Sequence, residues 1–104
     1  MNLPTEKSPI SASWGPGKLR YFFLRVWDSD RGGNTLRTDL WFFFQSACEL
    51  ELKRLGVTDE RRLSAIRTAW MHVWANQSQI YKKPIWRDLD DALRDAFGSQ
   101  SGWN

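Results

Sequence analysis

Cysteine and histidine are the scarcest chemically versatile residues in this 104-residue chain, with one of each, Cys48 and His72. A lone cysteine excludes a disulfide within the chain, and one thiol on an apolar helix face fits a reducing compartment, so the expected location is the cytoplasm. A single histidine, with no second histidine and no cysteine or carboxylate at metal-ligand spacing, leaves zinc binding and Cys–His catalysis short of parts. No glycine-rich phosphate loop follows a strand. No segment approaches the roughly 20 apolar residues of a membrane span, and the first residues lack the basic-then-apolar order of a secretory signal.

Acidic groups offer little chemistry either. Asp28, Asp30 and Asn34 have a superficial likeness to a calcium loop, but the third ligand position would fall on Gly32 and no glutamate closes the set. Asp88, Asp91 and Asp95 share a helix face, yet Arg87 and Arg94 are interleaved with them. Asp90 with Arg94, and Arg87 with Asp91, are four residues apart and read as surface ion pairs. The expectation is therefore a chain with no catalytic residues, cofactor or metal ligands, and no small-molecule substrate.

The residues in surplus are tryptophan and arginine. Seven tryptophans exceed ordinary usage in so short a chain, and ten arginines stand against five lysines within a formal net charge of +3. Arginine stacks on rings and pairs with phosphate or carboxylate better than lysine does, and Trp, Tyr and Arg dominate interface hot spots. The length fits one domain, large enough to bury an independent core.

The dominant stretch is Thr35 to Leu55, which carries Trp41, Phe42, Phe43 and Phe44 in one run. Asn34 and Thr35 suit an N-cap and Gly56 suits a left-handed C-terminal residue. Asp39 near the start and Lys53 and Arg54 at the end complement the helix dipole. Two adjacent apolar stripes follow helical spacing: Leu40, Phe43, Phe44, Ala47 and Leu50, and Trp41, Phe44, Cys48, Leu52 and Leu55. A helix so broadly apolar packs on two sides within the domain, or on one side against a partner.

Lys18 to Trp27 is ambiguous. Its aromatic and β-branched content suits a strand, but Lys18, Tyr21, Arg25 and Asp28 share one helical face and Leu19, Phe22, Phe23 and Val26 the opposite one, which favours a helix. A third helix follows Thr58, a plausible N-cap, and buries Leu63, Ile66, Trp70, Val73, Trp74 and Gln77. A fourth starts at Pro84 and turns Trp86, Leu89, Leu93, Ala96 and Phe97 inward before Gly98.

The expected fold is all-α, a small bundle of three to four helices. Residues 1–13 form a flexible N-terminal arm, 14–98 one helical domain and 99–104 a C-terminal tail in which Trp103 could dock on the core or a partner. The alternative is α+β, with an N-terminal hairpin at residues 10–27.

Two functions compete. One is a non-catalytic protein-binding module, such as a small subunit of a larger assembly, nucleoprotein or otherwise, a homo-oligomer, or an inhibitor encoded by a phage or plasmid. Its candidate partner-binding residues are Trp27, Trp41, Phe44 and Trp103. The other is direct contact with a phosphate backbone or single strands of nucleic acid through Lys18, Arg20, Arg25, Arg31, Arg37, Arg61, Arg62, Lys82 and Lys83, with Tyr21 and Trp27 among them. A helix-turn-helix use of the last two helices is disfavoured, because four aspartates on the fourth helix would face DNA phosphates.

Overall fold

Pro16 opens the first helix at a position where a missing N–H costs nothing and a fixed φ already suits the helix. The computed structural model describes residues 10–29, 34–98 and 102–103. Over them the chain forms helices α1 (Pro16–Ser29), α2 (Asn34–Arg54), α3 (Glu60–Ala75) and α4 (Arg87–Phe97), with single 3₁₀ turns at Gln77–Gln79 and Lys83–Trp86 between the last two. The fold is all-α, and there is no strand among the described residues. The segment read as either helix or hairpin is a helix, with Lys18, Tyr21, Arg25 and Asp28 exposed and Leu19, Phe23 and Trp27 buried, one per turn.

α2 ends where Gly56 takes φ +86. The Val57 amide donates to the Leu52 carbonyl at 2.8 Å and the Gly56 amide to Lys53 at 3.0 Å, the pair of bonds of a Schellman cap. α3 is capped by Asp59 rather than Thr58: its carboxylate accepts from the Arg62 amide at 3.2 Å. Pro84 lies in the 3₁₀ turn that leads into α4, one turn ahead of the α-helix proper.

The core is built on rings. Phe23 of α1 meets Phe44 of α2 at 5.0 Å, Trp70 of α3 at 5.7 Å and Trp86 at 5.2 Å, so one side chain joins the first three helices and the 3₁₀ turn that leads into α4. Burying tryptophan also buries its N–H, which must find an acceptor. Trp41 Nε1 donates to the Trp70 carbonyl and Trp86 Nε1 to the Ile80 carbonyl, both at 2.8 Å, and Trp70 Nε1 to Cys48 Sγ at 3.3 Å.

The ends of the chain are joined across this core. The tail expected from 99 onward and the arm expected up to 13 are not free where they are described. Ile10 and Trp103 are fully buried, the Gly102 amide donates to the Ala12 carbonyl at 2.8 Å, and Trp103 Nε1 donates to the Ser11 carbonyl at 3.3 Å. Gly102 is required there, because a Cβ would run into the Ser13 backbone. Residues 1–9, 99–101 and 104 of those two segments lie outside the described residues. No helix among the described residues is long and apolar enough to cross a membrane.

Candidate functional site

The four rings expected at a partner surface are all inside the domain. Phe44 and Trp103 are fully buried and Trp27 nearly so. Trp41, 8% exposed, packs on Trp74 at 5.5 Å. The physical reason is closure: α1 covers one stripe of α2 through Phe22 and Phe23, and α3 covers the other through Trp70 and Trp74. The apolar surplus of α2 appears elsewhere.

That surplus is on its outer side. Asp39, Phe42, Ser46, Leu50 and Lys53 are all exposed, while Leu40, Trp41, Phe44, Ala47, Cys48, Glu51 and Leu52 are buried behind them. Phe42 is 52% and Leu50 68% exposed. Helical spacing groups Leu50 with the first inward stripe and Leu55 with the second, but both face solvent, Leu55 at 43% exposed, and Glu51 is inward instead. Phe42 fits neither stripe, which is the signal in the sequence that it is left over. Tyr21 and Tyr81, also exposed, have polar company: Arg25 lies over the Tyr21 ring at 5.6 Å, and the Tyr81 hydroxyl donates to Asp28.

The basic residues do not form one continuous surface. Arg25 lies over Tyr21 and Arg37 over Trp27 at 4.4 Å, so the two rings expected among the basic residues carry cations of the chain itself, and Lys18 lies over Trp14 at 5.0 Å. Arg62 pairs with Asp59 and with Asp95 of α4, each at 3.4 Å. Arg61, Lys82 and Lys83 are exposed, and Arg31 lies outside the described residues.

Arg20 and Lys83 of the nine are brought together in a cleft among the described residues, and they are joined there by Arg87 and Arg94, which local spacing assigns to surface bridges. This shallow cleft of about 410 Å³ is lined by these four cations with Pro16, Asp90 and Asp91. Arg94 pairs with Asp91 at 3.0 Å rather than with Asp90, and Asp90 pairs across to Arg20 of α1 at 3.3 Å. Burial pushes the Asp90 carboxyl up to about 6, against the pull of Arg20 and Arg94. Its Oδ1 is buried without a hydrogen-bond partner among the described residues.

Cys48 is fully buried, and burial pushes its thiol up to about 12, so it carries no thiolate at neutral pH. His72 is exposed on α3, its Nδ1 3.3 Å from Asn76. Among the described residues no three His, Cys, Asp or Glu side chains are grouped to hold a metal ion. Comparison of the chain with protein-family models, with curated proteins and with solved structures finds no match.

Proposed function

We propose that this chain is a non-catalytic protein-binding module that meets its partner through the outer face of α2, in the manner of a small subunit or inhibitor. The observation that carries this reading is the exposure of Phe42 and Leu50 two turns apart on one helix whose opposite side is fully committed to the core. Large apolar side chains aligned on one exposed face lose unfavourable hydration when a partner covers them. The single reduced thiol, Cys48, supports a cytoplasmic setting. A photoreactive residue replacing Leu50 tests the reading in the native cell. It is expected to give a discrete covalent adduct, whereas the same residue replacing Ser64, exposed on α3, is not; equal or absent labelling at both positions refutes it.

A second reading, contact with phosphate groups of nucleic acid, is favoured by the cleft alone, where four cations converge on two carboxylates. Neither Lys83 nor Arg87 forms an ion pair with a described residue, which leaves both available to an anion. Anisotropy of labelled single- and double-stranded oligonucleotides at two salt concentrations tests it. Salt-sensitive binding that is lost in Lys83→Glu/Arg87→Glu supports this reading, and no binding at low salt ends it.

A further inference from the structure

The exposed face of α2 is palindromic. Counted from Ser46, Phe42 and Leu50 lie four residues to either side, and Asp39 and Lys53 seven to either side. At 100° per residue these five positions fall within an arc of about 80°, so they form one straight seam. All five are exposed. The order along the seam is acid, apolar, small, apolar, base.

We infer that this face pairs with the same face of a second copy of the chain, antiparallel, about a two-fold axis at the level of Ser46. This rests on the reading of the outer face of α2 as a contact surface and names its occupant. A two-fold interface is self-complementary: if one residue meets another, the reverse contact is made as well. Reversing the helix about Ser46 puts Phe42 of each copy in one layer with Leu50 of the other. It puts Asp39 beside Lys53 at both ends, and it places Ser46 against Ser46, where small side chains let the helices approach. The apolar layers exclude water and the terminal ion pairs fix direction.

The parallel alternative fails on charge. It would set Asp39 against Asp39 and Lys53 against Lys53, two like-charge contacts in place of two attractive ones. A register shift by one turn in the antiparallel pair would also separate acid from base and leave one apolar layer facing solvent. The charge pattern therefore selects one direction and one register.

The seam runs about 21 Å at 1.5 Å per residue, which is short against the roughly 1,200 Å² buried by stable interfaces. The dimer is accordingly expected in the micromolar range and to be concentration-dependent. Sedimentation velocity of the full chain between about 1 and 200 µM is the experiment, with circular dichroism to verify that each variant is folded. The wild-type chain is expected to move from the 12.2 kDa monomer toward twice that mass. Asp39→Lys alone and Lys53→Asp alone each place like charges at both ends of the seam, and each is expected to weaken self-association at least tenfold. Mixed in equal amounts they restore attraction at both ends and form the heterodimer.

A wild-type chain that stays monomeric throughout overturns the inference, as does a mixture of the two variants that associates no better than either alone. The broader reading is judged separately: a monomeric chain that still gives an adduct of another mass from position 50 overturns the second copy as occupant and leaves the face a contact surface.

Discussion

A carboxylate on the inward side of an aromatic helix keeps its charge only if donors replace the water it has lost. Glu51, 7% exposed, accepts from Arg54 Nε at 2.6 Å, from Arg54 Nη2 at 2.9 Å and from the Ala12 amide at 3.1 Å. The Arg54 hydrogen bonds, opposed by burial and helped by the Ala12 amide, hold its carboxyl below the ordinary value of 4.5. A carboxyl depressed on folding stabilises the native state at pH above its unfolded value, and that contribution is lost as pH falls through the lower folded value. Glu51→Gln should therefore cost about 1 kcal/mol at pH 7, a charge-assisted bond discounted for the solvent-exposed guanidinium. The difference should shrink toward zero in urea titrations carried well below pH 4.5. Glu51 also ties the segment before α1 to α2, a link between residues 39 apart that no local pattern announces.

Elements with one apolar stripe could be read from spacing. In α3, and from Trp86 through α4, the residues Leu63, Ile66, Trp70, Val73, Trp86, Leu89, Leu93 and Ala96 are buried as expected, while Trp74, Gln77 and Phe97, also expected inward, are half-buried. α2 resisted because it is apolar nearly all round, so periodicity alone selects no single inward side; Leu50 and Glu51 exchange places for that reason. Ion pairs between helices are invisible to a spacing of three or four, which sees only one element: Asp90, which spacing pairs with Arg94, reaches Arg20 of α1, and Arg62 of α3 reaches Asp95 of α4. The end of the chain was harder still. Gly102 and Trp103 carry no helical period, and their placement depends on contacts with Ala12 and Ser11, about 90 residues away in sequence. Arg94 Nε closes that clasp by donating to the Trp103 carbonyl at 2.8 Å, and Phe97 packs on the Trp103 ring at 5.8 Å. Trp103→Ala should accordingly cost roughly 3 to 5 kcal/mol in urea unfolding, the cost of emptying a core site. A loss below about 1 kcal/mol would show that the clasp is dispensable.

For the whole molecule, closure of the core decides where function can reside. α1 and α3 pack on the buried members of both stripes of α2, while Leu50 and Leu55 stay exposed, so the rings that looked available are spent on folding. The surfaces left open among the described residues include one helix face with a symmetric order of charge and apolar side chains, and a separate basic cleft between α1 and α4. The symmetry of the first is the central claim, and chemical cross-linking at its centre tests it most directly. In Ser46→Cys the introduced thiol is the reactive one, because Cys48 is buried with its thiol pushed up to about 12. Two copies paired about Ser46 bring these thiols face to face, and a short bismaleimide is expected to yield a covalent dimer from Ser46→Cys at micromolar protein, diluted away by excess wild-type chain, with none from Ser64→Cys on the exposed side of α3. No covalent dimer from Ser46→Cys, or equal yields from both variants, would contradict the pairing.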